Sequence, residues 1–205
     1  MTATTSARRN IPRQTSAHRL VAEYRNRQRH PTSWRWLSRQ EIADQLDERI
    51  DNPSKINQGN TNLCGMAAFV RHWAADDPVA YVQFAINLHE KGAARLGNGA
   101  VQRNISPSPI LRADHPPSAP QADWLVLASI RDNFNEWLPY RSTNAKEISS
   151  TDEQLAATNF AEDVRLGLVT AGYREDRIIE RTNFTRSQGI ANASKPAGTS
   201  SRATG

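Results

Sequence analysis

The chain contains one cysteine, Cys64, followed at once by Gly65 and an apolar run. A thiol does nucleophilic chemistry only as the thiolate, and a helix start favours that anion through the dipole and its free N–H groups. Acyl transfer also needs hydrogen-bond donors for the charge that develops on the attacked carbonyl. The backbone N–H of Cys64 is one such donor. The side-chain amide of Gln58, six residues upstream in Gln58-Gly59-Asn60-Thr61-Asn62-Leu63-Cys64-Gly65, is another. Gly65 leaves the helix start open to a substrate because it has no Cβ. Asn62 or Thr61 is expected to cap the helix. The same residues also fit a plain core thiol, since free cysteine is among the most buried residue types.

A cysteine nucleophile needs a base, usually a histidine oriented by a third group. The five histidines are His18, His30, His72, His89 and His115, and none follows residue 115. His72 is expected two turns down the helix that Cys64 starts, about 12 Å away at 1.5 Å per residue. His89 reads as a packing or surface residue of the next helix. His115 lies in Asp114-His115-Pro116-Pro117, a loop whose position the sequence does not give. No Cys/His spacing suits zinc. Gly92, Gly97 and Gly99 do not form a phosphate loop. No metal ligand or cofactor is therefore assigned.

Several elements frame this segment. Ser38 with Glu41 forms a capping box, and Leu37 with Ile42 a hydrophobic staple. Ile42, Leu46 and Ile50 follow on one helical face, and Asn52-Pro53 stops the helix. Residues 54–63 read as a polar loop and Cys64 to Ala75 as a buried helix. Asp77-Pro78 opens a helix that runs to Lys91 and ends at Gly92. Residues 93–102 suggest a hairpin around Gly97-Asn98-Gly99. Five prolines mark 103–121 as an extended loop. Asp123 is expected to cap a helix from Trp124 to Asp132. Ser150 with Glu153 opens a helix to Ala171 that stops at Gly172, and Arg177 to Arg181 reads as a strand.

Charge is uneven. Residues 1–39 carry nine Arg and one acid, Glu23, a net +8 in a chain of total +5, so the remainder is −3. Such an arm suits nucleic acid, an acidic partner or simple solvation. Trp34 and Trp36 flank Arg35 and are expected to stack on bases or to pack the arm onto the body. The apolar fraction of 38% and mean hydropathy of −0.68 predict a modest core. A single cysteine excludes an internal disulfide and fits a reducing compartment. No apolar run reaches the roughly 20 residues of a membrane-spanning helix. No secretory signal is visible. The expectation is a protein that is cytoplasmic as synthesised, with secretion by a signal-independent route left open.

Gln, five residues, then Cys-Gly at a helix start is similar to the papain-like cysteine peptidases. Lys55-Ile56-Asn57-Gln58, Asn62-Leu63-Cys64-Gly65-Met66-Ala67-Ala68-Phe69, Asp123-Trp124-Leu125-Val126-Leu127-Ala128-Ser129-Ile130-Arg131-Asp132 and Ala171-Gly172-Tyr173 resemble a bacterial group close to the bacteriocin-leader peptidases, often read as a secreted-effector type. The likeness covers about residues 50–185. It implies Cys64 as nucleophile, Gln58 in the oxyanion loop and a peptide or protein substrate. It also implies an α+β fold whose helical half is present and whose β-sheet half, with the catalytic histidine, is largely missing. The expected organisation is a basic flexible arm over 1–36, a truncated papain-like domain over 37–185 and a disordered tail over 186–205, read as out of frame relative to a longer ancestor. The function expected is a cysteine-peptidase-type domain that is inactive as it stands. The alternative is a small helical binding module that uses the Arg-rich arm on nucleic acid or an acidic partner.

Overall fold

The structure is a computed structural model that describes residues 3–27, 31–61, 63–97, 102–114, 118–134 and 161–173, with the backbone alone for 3–10 and 161–163. Among these are seven α-helices and a two-stranded sheet, so the chain is helix-dominated with a small β component. The helices are α1 (Ala3–Asn26), α2 (Arg39–Asp51), α3 (Cys64–Asp76), α4 (Pro78–Lys91), α5 (Pro109–Ala113), α6 (Gln121–Phe134) and α7 (Ala161–Thr170). A single 3-10 turn, Pro53–Lys55, follows α2. The strands β1 (Ala94–Leu96) and β2 (Arg103–Ile105) pair antiparallel, with Ala94 opposite Ile105 and Leu96 opposite Arg103.

Local signals place most of these boundaries. Ser38 caps α2 by accepting from the Glu41 N–H, and Ile42, Leu46 and Ile50 are buried. The return half of the capping box is not made by Glu41. Gln121 takes that place: its Oε1 accepts from the Ser38 N–H at 2.6 Å and its Nε2 donates to Glu41 at 2.6 Å. Asp77 caps α4 through the Ala80 N–H at 3.1 Å, with Pro78 at the first helical position. Gly92 ends α4 in the left-handed region at φ 69°, where a Cβ would be strained. Gly92 also packs closely; a Cβ there would lie 2.7 Å from Arg112 Nη1 and 2.9 Å from Ser33 Oγ.

Three expectations are corrected. Residues 3–26, read as part of a flexible arm, form α1. Its inner face is narrow: Ala17, Val21 and Tyr24 are fully buried. Too few apolar positions repeat for the pattern to stand out in the sequence. Polar contacts to distant residues do the rest. His18 pairs with Asp47 and Asp51 at 2.8 and 3.0 Å, Arg25 pairs with Asp44 and Asp47 at 3.0 and 2.7 Å, and Gln14 donates to the Ile50 carbonyl. Residues 103–121 are not one extended loop, for they include β2 and α5. Ser108 caps α5 through the Leu111 N–H. Finally, Asp123 does not cap α6. The helix begins at Gln121, with the Trp124 N–H bonded to the Pro120 carbonyl, and Asp123 lies inside the first turn.

The core centres on α6, which is buried from Ala122 through Arg131. Trp73 of α3 stacks on Phe69 at 6.0 Å and meets Phe84 of α4 edge-on at 5.3 Å. Edge-to-face and offset aromatic pairs of this kind add about 0.5–1.5 kcal/mol beyond the area they bury. Trp34 packs the segment after α1 onto the body: it is buried and donates to the Leu88 carbonyl at 2.9 Å. Trp36 is 46% exposed and lies under Arg35 at 5.0 Å. Gly167 of α7 sits against Phe69, where a Cβ would come within 3.3 Å of the ring. The start of the helix expected from Ser150, the strand expected at Arg177 to Arg181 and the tail over 186–205 lie outside the described residues.

Candidate functional site

Cys64 is the first residue of α3 and its thiol is exposed. Gly65 beside it is partly exposed and Ala68, one turn on, is exposed, whereas three other neighbours are buried. Leu63 is fully buried just before it, and Met66 and Ala67 are buried just after it. These three fasten the helix start to the core and turn Cys64 outward. Leu63 occupies the capping position and makes no side-chain cap; its carbonyl accepts from the Ala67 N–H at 2.8 Å. Thr61, expected as a cap, instead donates its hydroxyl to the Gln58 carbonyl at 2.7 Å. Asn62 lies outside the described residues.

The loop before α3 is fastened mostly to itself. Gln58 Nε2 donates to the Thr61 carbonyl at 2.8 Å, so one proton of the amide expected to face a substrate oxygen is already engaged. A carboxamide has a second N–H, which this bond leaves unused. The Gly59 N–H donates to Asn57 Oδ1 at 2.9 Å. Gly59 has φ 62°, and a Cβ there would lie 3.0 Å from the backbone of Ser118 and Ala119. Glycine at this position thus serves both the turn and the close approach of a second chain segment.

Two charged residues hold the loop from outside. Arg71 of α3 donates Nε and Nη2 to the Ile56 carbonyl at 2.9 and 2.6 Å. Asp123 Oδ2 accepts from the Asn57 N–H at 2.8 Å. Asp123 is 1% exposed and is bridged by Arg49 of α2, with Nε to Oδ1 at 3.2 Å and Nη2 to Oδ2 at 2.8 Å. Burial pushes the Asp123 carboxyl up, while the Arg49 bonds and charge and the Asn57 N–H oppose that rise. Sequence reading assigned Asp123 only a capping role and did not single out Arg49 or Arg71. Arg49 and Asp123 are 74 residues apart, and no local pattern links them.

The histidines are placed elsewhere. His72 is exposed on α3, eight residues along from Cys64. His89 is 1% exposed and is bonded to Tyr24 at 2.8 Å and Thr32 at 3.0 Å. Burial lowers its pKa to about 4, with the Arg39 charge acting in the same direction. His18 is held by Asp47 and Asp51; burial works against its cation, but the bonds to the two carboxylates raise its pKa overall. His30 and His115 lie outside the described residues. Among those described, no group of three His, Cys, Asp or Glu is arranged to hold a metal. No helix among them is long and apolar enough to cross a membrane.

Three arginines of the basic segment are matched by acids of the same chain. Arg25 meets Asp44 and Asp47, and Arg27 and Arg39 both meet Glu90. Arg39 also lies over the Tyr24 ring at 4.6 Å. A basic segment was expected on an acidic body, and these pairs join the two. Comparison of the chain with protein-family models, with curated proteins and with solved structures gives no match.

Proposed function

We propose that the chain carries a papain-like, peptidase-type thiol site, with Cys64 as nucleophile and Gln58 in the oxyanion loop, and that it hydrolyses no peptide as it stands. One observation supports the site above the rest: the only cysteine is exposed at the first residue of a 13-residue helix whose start is fixed to the core by Leu63, Met66 and Ala67. A cysteine kept merely as a small apolar residue would be expected inside. The expectation of inactivity rests on the base. Among the described histidines, His89 has both ring nitrogens occupied, His18 is clasped by two carboxylates, and His72 lies on the same helix as the thiol. A peptide or protein substrate would then need a histidine from a further chain or from residues outside those described.

The test is alkylation of Cys64 by iodoacetamide in the native and the urea-unfolded chain at one pH, beside a peptide-library hydrolysis assay. The expected result is native alkylation at least tenfold faster and no turnover. Native alkylation no faster than unfolded would overturn the site, and turnover abolished by Cys64→Ala would overturn the inactivity. The nucleic-acid reading of the Arg-rich segment has less support, because Arg25, Arg27 and Arg39 are already engaged with Asp44, Asp47 and Glu90.

A further inference from the structure

The loop that carries Gln58 is self-locked by side-chain hydrogen bonds, with few polar ties to the body. Between Asn57 and Thr61 its side-chain bonds are internal: Gln58 Nε2 to the Thr61 carbonyl, Thr61 Oγ1 to the Gln58 carbonyl, and the Gly59 N–H to Asn57 Oδ1. Such bonds keep the shape of the loop but do not set its orientation. Orientation comes from the buried residues Ile56, Thr61 and Leu63, from the packing of Gly59 on Ser118 and Ala119, and from two polar anchors at the loop's entry. Arg71 ties the Ile56 carbonyl to α3, the helix that Cys64 begins. Asp123 ties the Asn57 N–H to α6, the most deeply buried helix.

We infer that Asp123 is the positioning residue of the Cys64 site: through the Asn57 N–H it holds the Gln58 loop in register with the start of α3. The chemistry suits this role. An ionised carboxylate is an acceptor-only group with about four lone-pair sites. Arg49 takes one on each oxygen and leaves Oδ2 free to accept the loop amide as well. Charge-assisted bonds of this kind are shorter and about twice as strong as neutral ones. With Asp123 at 1% and Arg49 at 4% exposure, the ion pair is shielded from water and holds the carboxylate in place for Asn57, itself an exposed residue. The position on α6 adds rigidity, since both neighbours of Asp123 in the chain, Ala122 and Trp124, are also fully buried. This inference deepens the thiol-site reading and rests on it.

Two variants separate positioning from plain stability. Asp123→Asn keeps the size of the side chain and loses the charge. The pair Arg49→Met with Asp123→Leu replaces the buried ion pair by apolar groups of similar volume, an exchange that is often neutral or stabilising. It leaves the Asn57 N–H without its acceptor. The expected result for the double variant is an unchanged melting temperature within about 5 °C, amide exchange at Asn57 and Gly59 at least tenfold faster, and Cys64 alkylation by iodoacetamide changed at least threefold. Exchange within α4 should stay as in the wild type. Asp123→Asn should move the loop readouts the same way, whether or not it also lowers the melting temperature.

Unchanged exchange at Asn57 and Gly59 in the folded double variant would overturn the inference. So would faster loop exchange with unchanged Cys64 alkylation. If the double variant does not fold, Asn57 and Gly59 exchange and Cys64 alkylation in Asp123→Asn, read against α4 in the same sample, decide between the same outcomes. The failure of the thiol-site reading shows separately, in the wild type alone, as native alkylation no faster than unfolded.

Discussion

Protonation of His89 should weaken the fold between neutral and moderately acid pH, and the structure gives the size of the effect. The ring sits between α1 and α4 with 1% exposure. Its Nε2 lies 3.0 Å from Thr32 Oγ1 and 3.5 Å from the Leu37 carbonyl. A carbonyl only accepts, and the Thr32 hydroxyl already donates to the His89 carbonyl. The hydrogen-bond network therefore assigns the ring proton to Nε2, and Nδ1 accepts from the Tyr24 hydroxyl at 2.8 Å. A second ring proton would force the Tyr24 hydroxyl to turn its own hydrogen away and accept instead, in a site where Arg39 opposes and Glu90 favours the added charge.

Burial moves the pKa from 6.5 to about 4. At 1.36 kcal/mol per pH unit this corresponds to about 3 kcal/mol of stability. The sign follows from proton uptake. Between pH 6.5 and 4 the unfolded chain binds more protons at this residue than the folded chain does. The contribution is thus fully present above pH 6.5 and is lost as pH falls to about 4. His18 acts in the opposite sense. Its folded pKa is raised by Asp47 and Asp51, so its contribution is present below 6.5 and is lost as pH rises through the folded value. Carboxylates titrate at the acid end as well. The difference between wild type and His89→Gln removes these shared terms. Urea unfolding of both at pH 7, 6, 5 and 4 should show the wild-type advantage shrinking by about 3 kcal/mol on the way down. Parallel stability curves for the two proteins would refute the reasoning.

Two further substitutions test packing and backbone. Tyr81→Phe removes a fully buried hydroxyl that has no hydrogen-bond partner among the described residues; chemical denaturation should show a change within about 1 kcal/mol, in either direction, because no bond is lost. Gly92→Ala should lower stability by at least about 1 kcal/mol, since φ is 69° and the new Cβ would press on Arg112 and Ser33; a melting temperature equal to that of the wild type would contradict this.

What could be read from the sequence was whatever is decided within a few residues. Ser38 at the start of α2, Asp77-Pro78 at the start of α4 and Gly92 at its end each satisfy backbone groups of their own helix, so their meaning does not depend on the rest of the chain. The stripe Ile42, Leu46 and Ile50 follows from short-range periodicity in the same way. Tertiary structure decided the rest, through partners far apart in sequence. Cys64 could be recognised as a helix start, but whether the thiol faced inward or outward depended on where Leu63, Met66 and Ala67 found their core. The Gln58 amide was legible as a donor, but its Thr61 partner exists only once the loop closes on itself. Asp123 read as a cap because an acid near a helix start commonly is one. It became the acceptor for Arg49 and Asn57 because the fold buries it between α2 and the loop, and a buried carboxylate must take whatever donors the fold brings to it. The same holds for α1, whose three buried apolar residues are too few to announce a helix and whose ion pairs form only with an α2 already in place.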